Sequence, residues 1–216
     1  MAYMFSDCSS LMNLDLDNFN VQMVSTFKYM FNVCSSLKTL NLSNFITSSI
    51  KEMDFMFNGC NSPQILDLRS FSTLSVLSTY KMFYNCKSLI SLNLSNFYTP
   101  SLINIGYMFS YCTSLKSLDI SNFNTSLVTN MNYVFQNCYS LISLNVDNFN
   151  TLLVRDMKYM FSNCRALTSL NLSNFYTPNV TIMNYMFYNC SCLTTLDLSS
   201  FNTSKVINMN LKNVVH

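Results

Sequence analysis

Cysteines are the residues of this sequence best suited to chemistry, and they recur at a fixed interval. Eight of the nine lie 26 residues apart: Cys8, Cys34, Cys60, Cys86, Cys112, Cys138, Cys164 and Cys190. Thiols stacked at such an interval would be able to pair or to share a soft metal ion. No Cys-x-x-Cys pair occurs, however, and buried free cysteine commonly serves as a small apolar residue. We expect these thiols to be structural, and Cys192 to replace a serine of its repeat position.

Other catalytic groups are scarce. The single histidine is His216, and no glycine-rich phosphate loop, Gly-x-Ser-x-Gly or His-Glu-x-x-His motif occurs. A repeat also distributes the same group along its axis, whereas an active site gathers different groups at one place. The sequence therefore predicts no enzymatic activity, no cofactor and no metal site.

Acidic and amide side chains form a second column: Asp15, Asn41, Asp67, Asn93, Asp119, Asn145, Asn171 and Asp197. Together with the column two residues further on, it holds six of the ten acidic residues and one of the twelve basic ones. Nucleic acid is an unsuitable partner for such a surface, because phosphate binding needs Lys and Arg. We predict an acidic face, marked by the four aspartates, that suits a basic or hydrogen-bonding protein. An ordinary solvated face is the alternative.

Aromatic residues form a third column: Tyr3, Tyr29, Phe55, Lys81, Tyr107, Tyr133, Tyr159 and Tyr185. Tyrosine offers a large contact area with a polar tip, which suits binding surfaces. We predict that five of these tyrosines, Tyr29, Tyr107, Tyr133, Tyr159 and Tyr185, are partly exposed and contact a partner. The alternative is that the rings stack on one another and cover the edges of the repeats.

These columns exist because the whole sequence is periodic. A Met-Phe pair recurs every 26 residues at 4–5, 30–31, 56–57, 82–83, 108–109, 160–161 and 186–187, and Val-Phe fills the gap at 134–135. A fixed period in this range is typical of a solenoid, in which each unit buries its apolar face against its neighbours. Half of the residues are apolar and only 10% are charged. We predict one domain, residues 1–216, with eight units.

The hydrophobic pattern changes within each unit. Apolar residues alternate in 141–146, which predicts a short half-buried strand. From Val154 to Cys164 they recur every three or four residues, which predicts one or two helical or 3-10 turns. The expected fold is therefore an α/β solenoid in which short parallel strands alternate with short turns of helix.

The unit Met-Phe-x-x-Cys-x-Ser-Leu-x-x-Leu-x-Leu-Ser-Asn-Phe-x-Thr resembles the BspA-like leucine-rich repeats of mycoplasma and other bacterial surface proteins. The resemblance implies a right-handed solenoid with strands on the concave face and helical turns on the convex face. It also implies adhesion or protein binding at the cell surface, without enzymatic activity. The third unit departs from the pattern at Pro63, Ser70, Thr79 and Lys81, so we expect that coil to be distorted.

Two further expectations concern the setting of the chain. Residues 1–20 resemble no secretory signal, and no apolar run reaches the 18 residues of a membrane span. Neither end of the repeat array carries a polar cap, although solenoids normally need one. We therefore expect a longer array or self-association, head to tail or side by side, as in a surface layer or a virion component. Binding of a separate protein remains the first hypothesis.

Overall fold

Short parallel strands, paired across one repeat, form the first ladder of this structure. The computed structural model describes residues 1–210. Its strands are β1 (Asn13–Leu14), β2 (Thr39–Leu40), β3 (Ile65–Asp67), β4 (Ser91–Asn93), β5 (Ser117–Leu118) and β6 (Ser143–Leu144). The parallel pairs are β1–β2, β3–β4 and β5–β6, and each residue faces its counterpart 26 positions away. The strand leucines point inward, as the alternation predicts, and the outward residues are small and polar except Ile65 of β3, which is 72% exposed.

A second backbone ladder runs along another side of the molecule. Consecutive parallel bridges join the counterparts Thr26, Glu52, Ser78, Asn104, Asn130, Asp156, Ile182 and Asn208. The register therefore stays constant over seven successive steps. Parallel strands and a constant register are the features of the predicted solenoid that the structure shows.

The segment after each bridge is not helical, which corrects the prediction of helical or 3-10 turns. In the unit that begins at Met131, alternate N–H groups donate to carbonyls of the following repeat, over 2.8–3.0 Å. The intervening Gln136 and Cys138 N–H groups donate three residues back within the unit. Tyr133 and Asn137 have φ of 57° and 60°, which an α-helix does not allow. The apolar spacing suggested a helix because the fully buried residues of this segment, Met131, Val134, Phe135 and Cys138, recur at intervals of three and four although the backbone is not helical.

Left-handed backbone recurs at two positions of every unit. One is the aromatic column, and the other holds Asp7, Val33, Gly59, Asn85, Tyr111, Asn137, Asn163 and Asn189. Left-handed backbone costs most residues about 1–2 kcal/mol. The cost is smaller for Asn and Asp, and Gly adopts this conformation freely because it has no Cβ atom. The hydrogen bonds between repeats offset this cost. Asparagines add to them: Asn163 Nδ2 donates to Asn137 Oδ1 over 2.8 Å.

Phenylalanines make the core continuous from one repeat to the next. The rings of Phe5, Phe31, Phe57, Phe83, Phe109, Phe135, Phe161 and Phe187 stack with centroids 5.6–5.7 Å apart. From Phe31 onwards these rings are fully buried, together with the strand leucines and a column of methionines. A repeat thus buries its apolar face against both neighbours.

The cysteine column is part of this core from Cys34 onwards, as predicted, whereas Cys8 in the first repeat is exposed. All nine thiols are free, and from Cys34 to Cys190 the column is buried. Each buried Sγ–H donates to a phenylalanine carbonyl 29 residues earlier, over 3.0–3.2 Å. Burial raises the pKa of Cys86 and of Cys138 to about 12. Within residues 1–210 no three His, Cys, Asp or Glu side chains cluster as metal ligands would; His216 lies outside this range.

The third unit keeps the common geometry, contrary to the predicted distortion. Strand β3 pairs with β4 over three residues, and Ser78 keeps both of its bridges. Ser70 replaces the usual asparagine, and its hydroxyl donates to the Leu42 carbonyl over 2.8 Å. Thr79 is buried and donates to Met108 Sδ over 3.3 Å. Ser70 and Thr79 therefore find hydrogen-bond partners within the same coil arrangement.

The buried thiols lead to a prediction about pH. A pKa raised in the folded state makes the neutral thiol a stabilising group below the unfolded pKa of about 9. We expect the free energy of unfolding to fall as the pH rises from about 9 towards 12, measured by urea denaturation at a series of pH values. Replacing Cys86 and Cys138 by alanine should reduce this loss. An unchanged slope in that variant would contradict the assignment.

Candidate protein-binding surfaces

The outward side chains of the strands, of the residues that follow them and of the equivalent positions in repeats without an assigned strand form one candidate surface, here called the strand face. Asp15, Asp67, Asp119 and Asp197 are all exposed on it, as predicted. A cleft of about 970 Å³ opens over the first three strands, lined by residues that include Asp15, Asn41 and Asp67. A second cleft of about 400 Å³ opens over β5 and β6. The strand face is therefore hollowed, and both polar side chains and strand leucines line its two clefts.

Each Asp or Asn of this column also has a structural role that the sequence reasoning missed. Its side-chain oxygen accepts the backbone N–H two residues later, over 2.8–3.1 Å, in all eight units. Such an Asx turn fixes the chain where it leaves the strand. An amide and a carboxylate oxygen accept equally well, which explains why Asp and Asn interchange here.

Hydrogen bonds also favour the ionised form of three of these carboxylates. A hydrogen bond from Arg69 lowers the pKa of Asp67, and bonds from the hydroxyl and N–H of Ser121 lower that of Asp119. The N–H of Ser199 does the same for Asp197. Arg69 pairs with Asp67 at 2.8 Å and cancels its charge. Across residues 1–210, Asp15, Asp119 and Asp197 form no ion pair, and neither do Asp17 and Asp147 of the neighbouring column, so these five carboxylates carry the negative charge of the strand face.

The aromatic column forms the second candidate surface, and its rings stack face to face. Centroids lie 4.3 Å apart between Tyr107 and Tyr133, and 4.9 Å apart at the next two steps, to Tyr159 and Tyr185. Tyr29 stacks in the same way between Tyr3 and Phe55. The five predicted contact tyrosines are half-buried. The stacking alternative is thus correct for the ring faces, and ring edges and hydroxyls are what this column offers to solvent.

The hydroxyls of Tyr107 and Tyr159 stay protonated at neutral pH. Burial, with the neighbouring tyrosines as a smaller cause, raises the pKa of Tyr107 and Tyr159. A neutral phenol donates and accepts hydrogen bonds, so the column presents a row of such groups about one repeat apart. The tyrosines lie in the turn segment and the aspartates on the strand face, so the structure places the two predicted sets on separate surfaces.

An ion cluster on the turn side also escaped the sequence reasoning. Lys28 Nζ lies 3.4 Å from both Glu52 and Asp54. Asp54 is buried and accepts the Tyr80 N–H as well. The sequence signal for this cluster was the spacing of 24 and 26 residues from Lys28 to Glu52 and Asp54, since it places the three side chains on adjacent repeats. The cluster joins two repeats and gathers no nucleophile.

No helix that is long and apolar enough to cross a membrane occurs in residues 1–210. This agrees with the absence of a long apolar run in the sequence.

Comparison with solved structures gives repeat proteins of low sequence identity. One is a leucine-rich repeat protein from Bacteroides ovatus ATCC 8483, 16% identical with a TM-score of 0.45, where the match covers all of this chain and 70% of the other. Another is a leucine rich cell surface protein from Faecalibacterium prausnitzii A2-165, 14% identical with a TM-score of 0.36, covering 97% and 75%. No curated protein sequence matches the chain.

A sequence family described as "Mycoplasma protein of unknown function, DUF285" matches residues 1–118 and 103–213. These two matches span nearly the whole chain and meet within the repeat array, in agreement with the constant register of the two backbone ladders. The chain therefore belongs to this family and is a BspA-like leucine-rich repeat protein.

Proposed function

We propose that the chain is a single, non-enzymatic repeat domain, residues 1–216, that binds a protein partner. Preorganisation is the observation that carries the proposal. The carboxylates of the strand face are held by Asx turns, and the tyrosines by stacking on one another. Side chains that are already ordered lose little entropy when a partner binds, so more of the contact energy appears as affinity.

The charge of the strand face indicates the chemistry of the partner. Unpaired Asp15 and Asp119 each line one of the two clefts, and Asp197 is exposed in the same column. A basic, extended segment of a protein would pair its charges with these carboxylates. Electrostatic complementarity of this kind mainly sets specificity and the rate of association.

Lateral self-association is the second candidate, and exposed leucines favour it. Leu127, Leu152 and Leu153 are 46, 46 and 41% exposed, and the 26-residue register places them on adjacent repeats. Scattered exposed leucines are ordinary, but a contiguous apolar patch marks an interaction site. Side-by-side packing of two solenoids would cover it. End-to-end joining stays a prediction.

The strand face can be tested without disturbing the fold. Replacing Asp15, Asp119 and Asp197 by asparagine keeps the oxygen that accepts the turn N–H, as Asn41 and Asn145 do naturally. We expect an unchanged melting temperature but a several-fold weaker affinity for a lysine-rich peptide, since one exposed ion pair contributes about 0.2–1 kcal/mol. Titration calorimetry at two salt concentrations measures the effect. Equal affinity of the variant and the wild type would refute the acidic binding face.

The tyrosine column is tested by a similarly conservative change. Replacing Tyr133 and Tyr159 by phenylalanine keeps the stack, as Phe55 does, and removes the hydroxyls. We expect the immobilised variant to lose proteins that the wild-type chain retains from a cell extract, identified by mass spectrometry. The matched control replaces Tyr98 and Tyr176 by phenylalanine. These two tyrosines lie outside the column and are 53 and 54% exposed.

If the control loses the same proteins, or if neither variant loses any, the column is not the contact surface.

Light scattering over a concentration series tests the second candidate, lateral self-association, since lateral packing gives a mass that rises with concentration. A constant mass of one chain would rule out self-association under those conditions.

A further inference from the structure

Lys81 occupies the one position of the aromatic column that is neither Tyr nor Phe, and aromatic rings surround its ammonium group. Its Nζ lies 4.8 Å from the ring centroid of Tyr107, 5.0 Å from that of Tyr84, and 5.4 Å from those of Phe55 and Tyr80. All four distances fall within the 6 Å range of cation–π attraction. We call these four rings the aromatic box.

The box is a preformed structure rather than four independent side chains. Phe55 and Tyr107 belong to the stack one repeat before and one repeat after Lys81, so their faces bracket the ammonium. Tyr80 stands edge-on to both of them, at interplanar angles of 70° and 78°. Tyr84 stands edge-on to Tyr107 at 68°. Edge-to-face contacts of this kind fix aromatic rings relative to one another.

The interior of the box offers no hydrogen-bond acceptor to the ammonium. Within residues 1–210 the Lys81 Nζ has neither a hydrogen-bond nor an ion-pair partner. Lys158 provides the contrast, because its Nζ lies near one ring, that of Tyr133 at 5.5 Å, and pairs with Asp156 at 3.8 Å. The primary ammonium of Lys81 therefore has N–H groups that no protein acceptor in the described part of the chain binds, whereas a quaternary ammonium has no N–H groups.

We propose that the aromatic box of Phe55, Tyr80, Tyr84 and Tyr107 is a binding site for quaternary ammonium groups, and that the Lys81 ammonium fills it in the absence of ligand. Aromatic faces without acceptors are the surroundings that favour trimethylated nitrogen. Lys81 is half-buried on a flexible four-carbon stem, so the ligand enters when this side chain turns to solvent. The apparent affinity of the wild type is then lowered by the fraction of molecules in which Lys81 occupies the box. The site does not depend on the proposed protein partner.

The test is an NMR titration of the tyrosine ring signals with tetramethylammonium chloride. Three proteins are compared: the wild type, Lys81→Gly and Lys158→Ala. Glycine suits position 81, because its backbone is left-handed at φ 56°. We expect saturable binding to the wild type, about tenfold tighter binding to Lys81→Gly, and wild-type affinity in Lys158→Ala. Adding Tyr107→Ala to Lys81→Gly should abolish the binding, and thermal unfolding of each variant checks that it is folded.

Two further arms define the ligand. Choline is compared with 3,3-dimethylbutan-1-ol, its neutral analogue, and equal affinity for both would overturn the proposal because no cation would be recognised. A trimethyllysine peptide then represents a quaternary ammonium group carried by a protein, and glycerophosphocholine represents one carried by a lipid headgroup. Saturable binding of either supports the site. Absence of saturable binding to the wild type would also overturn the proposal, since Lys81 would then be a permanent occupant. None of these results bears on the acidic strand face, which is tested separately.

Discussion

The 26-residue register between successive repeats is the constraint on which the other features of this structure depend. The turn segment contains left-handed residues and forms no helix, so its alternate N–H groups have partners only in the next repeat, as at Tyr133 and Phe135. The strand ladder, the bridge ladder and the phenylalanine stack all require the same offset. A shift by one residue would leave backbone donors unpaired, move phenylalanine out of the core and remove the Cys–carbonyl bonds together.

The same register determines what kind of surface the molecule presents. Stacking copies each side chain along the axis, so the chain produces rows of carboxylates and phenols rather than a cluster of different groups. Rows suit extended contact with a partner and do not suit catalysis, which needs several chemistries at one place. Position 81 is an exception, because one lysine within the aromatic column creates a local environment that the neighbouring repeats lack.

Features that depend on the period could be predicted from the sequence. The buried face of the strands and the inert thiols such as Cys138 follow from identical residues that recur in register. The helical turns could not be predicted correctly, because the turn segment buries residues at intervals of three and four while its backbone includes left-handed residues, and the sequence spacing alone does not distinguish this turn from a helix. The role of Asp119 in its turn depends on a backbone bond that only the structure shows. The aromatic box lay outside the pattern, since Tyr80 and Tyr84 belong to different columns from Tyr107.

A deletion tests the central claim, the fixed register, most directly. Removing residues 105–130 joins Asn104 to Met131, which occupies the same repeat position as Ile105. We predict that this chain keeps the circular dichroism spectrum and the cooperative unfolding of the parent, with one repeat fewer. Removing 105–129 instead should shift the register by one residue and abolish cooperative unfolding. Equal stability of the two deletions, or collapse of both, would contradict the account.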